Sequence, residues 1–313
     1  MSTEFLQTST TPTTMQQQKK SSTQLNQAFN KPVPISKSKY TQVVDINSKK
    51  SASILDSKQH PFRSLVGRLL YANICTRPDI SFALSTLATH NSDPRTMHWN
   101  ALLDLLRYLR DTSNIKLTYG KLSSSETPNV ISVYADADFS QDKTRKSRTG
   151  YVIFLNGGPI AWNSSLQTTI AQSTSESELY ALMDAVNNAL QIKHILQELG
   201  YPQGTIQCYE DNSGLLDWIQ NGRTTTRMKH IELKYIILKD HHTNKTFQFN
   251  KIQTELQRAD LLTKQMDYAI FSKQIQYKCS TTFKTVNTVC IYIIAYILFI
   301  LFIVHPGLSL YIY

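Results

Sequence analysis

Cysteine is scarce: Cys75, Cys208, Cys279 and Cys290 are the only four in 313 residues, and none stands at CxxC or Cys/His spacing. That argues against a zinc site and against a disulfide scaffold, and it suits a reducing compartment. The polar N-terminus has no apolar run, so no signal peptide is expected. Acid is in deficit, with 23 Asp and Glu against 33 Lys and Arg and a net charge of +10. Such an excess favours a polyanionic partner. Residues 1–60 have few large apolar side chains and are rich in Ser, Thr, Gln and Lys. They cannot bury enough surface to order themselves and read as a disordered or low-complexity lead-in.

One stretch stands out from this background. Val130-Ile-Ser-Val-Tyr-Ala-Asp136-Ala-Asp138 reads as a short apolar strand that ends on a carboxylate. Val130, Ser132 and Tyr134 face one way; Ile131, Val133 and Ala135 face the other. Two neighbouring acids resist burial unless a cation lies between them, and a divalent metal ion is such a partner. Three further acids sit at or near the ends of apolar segments: Glu178 in Glu178-Leu-Tyr-Ala-Leu, Asp211 in Tyr209-Glu-Asp-Asn, and Asp260 in Arg258-Ala-Asp-Leu-Leu-Thr-Lys. Each alone is ordinary, since acids in a first helical turn compensate the dipole. In the order strand, helix, strand, helix, they predict one acidic site with no basic partner. Asp138 is an alternative to Asp136 but is expected past the strand end. Glu176 fits a capping box with Ser173 better than a metal site. Glu210 is expected to face away from Asp211 by strand alternation.

Around these acids the pattern is coherent. Between Pro61 and Lys121, three apolar stripes at helical spacing predict a small bundle: Phe62 to Leu70, Ile80 to His90, and a run after Pro94 carrying Trp99, Leu102, Leu103, Leu106 and Leu109. A basic loop, Lys143 to Arg148, follows the first strand. Tyr151–Leu155 and Ile160–Trp162 flank an Asn156-Gly157-Gly158 turn and read as a hairpin. A helix capped by Ser173 runs to Leu199 and stops at Gly200. Strand 206–209, a helix through Trp218, a helix 229–239 and a strand 247–252 lead to Asp260. Lys143, Arg145, Lys146 and Arg148 form one basic cluster, and Arg223, Arg227, Lys229 and His230 another. Such groups grip phosphates without reading sequence.

Six segments in this order resemble the ribonuclease H domain of copia-type (Ty1/copia) retrotransposon polyproteins, over roughly Pro128 to Met266. They are Tyr134-Ala-Asp-Ala-Asp, Lys146-Ser-Arg-Thr-Gly-Tyr-Val, Ser173-Thr-Ser-Glu-Ser-Glu-Leu-Tyr-Ala-Leu, Glu210-Asp-Asn, Lys229-His-Ile-Glu and Ala259-Asp-Leu-Leu-Thr-Lys. Pro61-Phe-Arg-Ser-Leu-Val-Gly, Thr76-Arg-Pro-Asp-Ile and Leu106-Arg-Tyr-Leu-Arg look like the end of the reverse transcriptase region of the same elements. The resemblance implies an α/β fold, a mixed five-stranded sheet flanked by helices, preceded by a small helical segment. It divides the chain into a lead-in 1–60, a helical remnant 61–121, a ribonuclease H-like unit 122–270 and a tail 271–313. It also implies hydrolysis of the RNA strand of an RNA–DNA hybrid with two Mg2+ ions, for which Mn2+ can substitute. Asp136 is then the ligand shared by both ions, Glu178 and Asp211 hold one side, and Asp260 the other. The polymerase motif Tyr-x-Asp-Asp is missing, because the chain has no Asp-Asp pair, so no polymerase activity is expected from it. The histidine that many cellular ribonucleases H carry before the last carboxylate is also missing between Phe249 and Asp260, and product release then needs another group.

Two other readings compete. A catalytically silent relic, or a co-opted nucleic-acid-binding module, needs no intact metal site. A membrane-anchored protein rests on the apolar segment 289–304, which follows the last charged residue, Lys284, and as a helix extended by the flanking Thr and Asn is just long enough for a bilayer core of about 30 Å. Read-through into noncoding sequence accounts for the same segment. The expected location is cytoplasmic or nuclear, with a membrane anchor if 289–304 inserts.

Overall fold

A computed structural model describes residues 60–117, 119, 129–222, 232–266, 270–271 and 279–280. Residues 1–59 of the lead-in, the basic residues Arg223, Arg227, Lys229 and His230, and the apolar segment 289–304 lie outside the described residues. Among the described residues, no helix is long and apolar enough to cross a membrane.

Three helices come first: α1 (Phe62–Cys75), α2 (Ser81–Ala88) and α3 (Thr96–Asp111), with a 3-10 turn at Pro78–Ile80. Their apolar stripes meet in one core of Phe62, Val66, Leu69, Ile80, Leu84, Leu87, Trp99 and Leu102. The break at Thr76-Arg-Pro-Asp is a buried knot. Arg77 donates to both Asp79 carboxylate oxygens (Nε–Oδ1 3.0 Å, Nη2–Oδ2 2.7 Å) and to the Thr112 hydroxyl at 2.7 Å. Proline cannot continue α1, and the ion pair makes the burial of both charges tolerable.

The sheet has the order β4-β3-β2-β5-β6. Strand β2 (Ile131–Asp138), β3 (Arg148–Leu155) and β4 (Gly158–Leu166) form an antiparallel meander. Strands β5 (Ile206–Glu210) and β6 (Phe247–Lys251) add in parallel on the other side of β2. Asn156 and Gly157 take the left-handed conformation (φ 51° and 75°), the primed turn that matches strand twist. Between the strands lie α4 (Thr174–Glu198), α5 (Ser213–Asn221) and α6 (Glu232–Thr243). This is the ribonuclease H-like arrangement: a mixed five-stranded sheet flanked by helices, with a helical segment ahead of it. A separate ribbon pairs β1 (Lys116–Leu117) with β7 (Cys279–Ser280).

Strand alternation sorts two cores. Ile131, Val133 and Ala135 join Leu179, Leu182, Val186 and Leu196 of α4 on one face. Tyr134, Val152 and Phe154 pack on the other face against Ala259 and Leu262, in and just before the one-turn helix α7 (Asp260–Thr263). Towards the end of α4 the buried stripe continues through Ile192 and Leu196, while Leu199 is exposed. On the second face Trp162 reaches out of the sheet, and its indole donates to the Asn73 carbonyl of α1 at 3.0 Å. The helical segment is therefore docked on the sheet.

Candidate active site

Four elements deliver carboxylates to one end of the sheet. Asp136 lies on β2, buried, directly across from Gly150 of β3. Its Oδ2 accepts from the Thr263 hydroxyl of α7. Glu178 occupies the second turn of α4, whose start is fixed by the Ser173 hydroxyl accepting from the Glu176 amide at 3.1 Å. The Glu176 carboxylate turns back to the Gln172 amide at 2.7 Å and to the Tyr180 hydroxyl at 2.7 Å. That leaves Glu178, two residues on, to point into the site. Asp211 follows β5, and its Oδ2 accepts from the Thr254 hydroxyl at 3.0 Å. One oxygen from each of Asp136, Glu178 and Asp211 lies within 4.8 Å of the others.

Asp260 opens α7, near enough to Asp136 for the Asp136 charge to bear on it. It stands beside the three acids rather than among them. Gln257, fully buried, anchors the approach to α7: its amide donates to the Ala135 carbonyl at 2.8 Å, and its Oε1 accepts from the Ala259 amide at 3.2 Å.

The electrostatics of the cluster are those of crowded, buried acids. Burial, and then the Glu210, Asp136 and Asp211 charges, push Glu178 well above the usual carboxylate range. Its Oε2 is buried and has no hydrogen-bond partner. Burial and the Asp136 charge raise Asp260 to about 7 against the pull of Lys264. Burial and the same neighbour raise Asp138 to about 6. A hole lined by hard oxygen donors whose negative charge is under-compensated is suited to a hard divalent cation.

Four expectations need correction. Asp138 is not past the strand end: β2 runs through it, paired with Arg148, so Asp138 shares the strand face of Asp136. Glu210 does not face away from the site. It is completely buried, its Oε1 accepts from the Asn212 amide at 3.0 Å, and its charge bears on Glu178. Strand alternation fails here because Glu210 is the last residue of β5 and Asp211 already belongs to the turn into α5. The acids do have a basic partner. Lys264, four residues after Asp260, brings its ammonium to 2.8 Å from Asp260 Oδ1. One helical turn puts both on the same side.

Arg148 is not a surface phosphate contact. It is 7% exposed, donates to the Ser85 hydroxyl of α2 at 2.7 Å, and lies over the Phe82 ring at 5.2 Å. By starting β3 it faces α2 instead of solvent. Lys143 and Arg145 are exposed and Lys146 half-buried on the loop before it. Gln257, Thr263 and Gly150 carry roles at the site that no local pattern announces, although Gly150 and Thr263 stand in two of the six motifs. The i,i+4 spacing of Asp260 and Lys264 was the local signal available.

No protein-family model matches the chain. It is 36% identical over 205 residues to the retrovirus-related Pol polyprotein from transposon TNT 1-94 of Nicotiana tabacum, covering 65% of this chain and 15% of that one. It is 25% identical over 215 residues to the Ty1-DR5 Gag-Pol polyprotein of Saccharomyces cerevisiae, 68% of this chain and 12% of that one. A 39% identity over 135 residues links it to secreted RxLR effector protein 161 of Plasmopara viticola, covering 42% of this chain and 92% of that one. Among solved structures, the LC11 ribonuclease H1 isolated from compost overlays 43% of this chain and 93% of its own, with a TM-score of 0.36 and 17% identity. The chain thus spans about one seventh or less of the polyproteins it matches. Through its ordered acidic motifs and this identity, the chain is homologous to a stretch of the Pol polyproteins of copia/Ty1-type retrotransposons.

Proposed function

We propose that this chain carries a metal-dependent ribonuclease H activity, cutting the RNA strand of an RNA–DNA hybrid to leave a 3′ hydroxyl. The observation that supports it most is the meeting of Asp136, Glu178 and Asp211 within 4.8 Å, although they lie far apart in the sequence. The donors fit Mg2+, and Mn2+ as a substitute: all are carboxylate oxygens, and Glu178 Oε2 is buried with nothing to pair with. In the two-ion reading Asp136 would serve both ions, Glu178 and Asp211 one, and Asp260 the other. Bound there, the ions would supply an ionised water and charge neutralisation at the departing 3′ oxygen. The active unit is residues 122–270, with 61–121 the end of a reverse transcriptase region.

The chain's own groups do the rest. Thr263 fixes the rotamer of Asp136, and Gln257 ties the approach to α7 to β2. Lys264 keeps Asp260 compensated before a metal arrives. Lys143, Arg145 and Lys146, joined by Arg227 and Lys229, grip the phosphates of the hybrid. Discrimination of RNA from DNA rests on contacts to 2′-hydroxyls.

The test is cleavage of an end-labelled RNA–DNA hybrid by the full chain, with and without Mg2+. Cleavage is expected with Mg2+ only, and none from Asp136→Asn with an unchanged circular dichroism spectrum. Binding without cleavage sinks the proposal and leaves a silent relic or a co-opted binding module. So does full activity in Asp136→Asn.

A further inference from the structure

We infer that the helical segment 62–111 is a working part of the carboxylate site: through Tyr108 it sets the position of α7, and so of Asp260 and Lys264. The inference rests on the nuclease reading only for its consequence in metal binding; the positioning itself stands on the packing.

The four carboxylates are held in two different ways. Asp136, Glu178 and Asp211 come from β2, α4 and the end of β5, elements that share the main core of the sheet. Asp260 comes from α7, which has four residues and no side-chain cap. A single turn has no stability of its own, so its tertiary contacts, the Thr263–Asp136 bond among them, decide where it lies. Its inner side is fixed by the sheet: Leu262 enters the core with Tyr134, Val152 and Phe154. Its outer side is fixed by the helical segment. Leu261, 3% exposed, pairs with Phe271, and Tyr108 of α3 packs on that pair with Ile115, Leu117 and Met266. The Tyr108 and Phe271 rings meet edge to face at 6.2 Å.

Tyr108 is itself locked. Its hydroxyl donates to Asp79 Oδ2 at 2.7 Å, and Asp79 is held in the fork of Arg77. The Arg77 guanidinium lies 5.4 Å from the centre of the Tyr108 ring and also bonds to Thr112, one residue past α3. The knot that ends α1 therefore clamps the ring that presses on α7. Helix α2 and the Pro78–Ile80 turn touch α7 as well. Loosening this clamp frees the side of α7 next to Asp260 and leaves the other three acids in place.

The experiment uses the full chain and the variants Tyr108→Ala, Tyr108→Phe and Leu261→Ala. Amide hydrogen exchange is read by peptide, alongside titration with Mn2+. For Tyr108→Ala and Leu261→Ala, faster exchange is expected in 257–264, with 131–138 and 206–211 unchanged. Mn2+ affinity is expected to fall about tenfold, matching Asp260→Asn, with no further loss in the Tyr108→Ala/Asp260→Asn double variant. Tyr108→Phe keeps the ring on Leu261 and Phe271 but loses the bond to Asp79, so it is expected to lie between the wild type and Tyr108→Ala in both readouts, with exchange rising at 257–264 and not at 131–138 or 206–211, which a general loss of stability would not do. If Tyr108→Ala unfolds the whole helical segment, Leu261→Ala, made from the α7 side, decides. Unchanged exchange at 257–264 in Leu261→Ala, or additive losses in the double variant, overturn the inference. A wild-type chain that shows the exchange coupling but neither binds Mn2+ nor cuts hybrid refutes the nuclease reading and leaves the positioning intact.

Discussion

Gly150 and Thr263 approach so closely that position 150 has no room for a side chain. A Cβ on Gly150 would stand 2.4 Å from Thr263 Cγ2, 2.9 Å from Leu262 Cβ and 3.2 Å from the Ala259 carbonyl. Gly150 is also the strand partner of Asp136, so the missing side chain lets α7 lie close enough for the Thr263 hydroxyl to reach that carboxylate. Gly150→Ala is expected to push α7 outward, destabilising the protein by about 1–3 kcal/mol as an overpacked site does. Hybrid cleavage should be lost even at temperatures where the variant is fully folded. Thermal melting and cleavage on the same sample check this; an active Gly150→Ala enzyme would mean that α7 is not held by this approach.

The raised acids predict how the metal-free protein responds to pH. Asp260 (about 7), Asp138 (about 6), Asp136, Glu178 and Glu210 all bind protons more tightly folded than unfolded. Their stabilisation is complete below the ordinary carboxylate range near 4 and is lost as pH rises through 7. Three histidines work against them. Burial lowers His98 to about 4 and depresses His90 and His241, so their stabilisation is lost as pH falls from 6.5 towards 4. With five acids of one crowded site against three histidines, the metal-free chain should melt higher at pH 5.5 than at pH 8. Mg2+ should raise the melting temperature more at pH 8, where it no longer competes with protons. A metal-free melting temperature that climbs from pH 5.5 to 8 would contradict the crowding of charge.

Glu210 is the acid whose removal should help. Gln at this position keeps the carbonyl that accepts from the Asn212 amide, and it removes the charge that bears most strongly on Glu178. Glu210→Gln is expected to stabilise the metal-free protein at pH 8 by ~1 kcal/mol, the low end of the cost of an unsatisfied buried group. Mn2+ binding near pH 7 should tighten, because Glu178 then ionises more readily. Denaturant melts and Mn2+ titration check both, and a destabilised variant would show that Glu210 is compensated.

Arg148 and the loop before it should separate cleanly. Arg148→Ala removes the bond to Ser85 and the stacking on Phe82, so it should loosen the docking of α2, with little effect on the salt dependence of hybrid binding. Replacing Lys143, Arg145 and Lys146 together should leave the melt unchanged and flatten the slope of log affinity against log salt by roughly 1 for each phosphate no longer neutralised. Filter binding at several salt concentrations and a melt of each variant distinguish the two roles. Equal slopes for the triple variant and the wild type would remove the loop from the interface.

Much of the architecture was legible locally because it depends on short-range periodicity. The alternation of Ile131, Val133 and Ala135 and the stripe of Leu179, Leu182 and Val186 each mark a face without reference to anything distant. The Ser173 cap and the Asn156-Gly157 turn are chemistry within a few residues. Segment ends were less legible. The β4 hairpin arm extends to Leu166, and β2 includes Asp138, because pairing across the sheet, not side-chain pattern, decides where a strand stops.

By itself the sequence determined the likeness to copia/Ty1-type Pol polyproteins, the order of strands and helices, and the candidacy of Asp136, Glu178 and Asp211, which meet in space. These depend on residue types and on periods of two and 3.6 that neighbours along the chain impose on one another. Tertiary structure alone decided that Glu210 turns inward, that Lys264 pairs with Asp260, that Arg148 binds α2, and that Gly150 admits Thr263. Each of these is a contact in space whose outcome depends on how closely whole elements approach. No period along one segment encodes the distance to another.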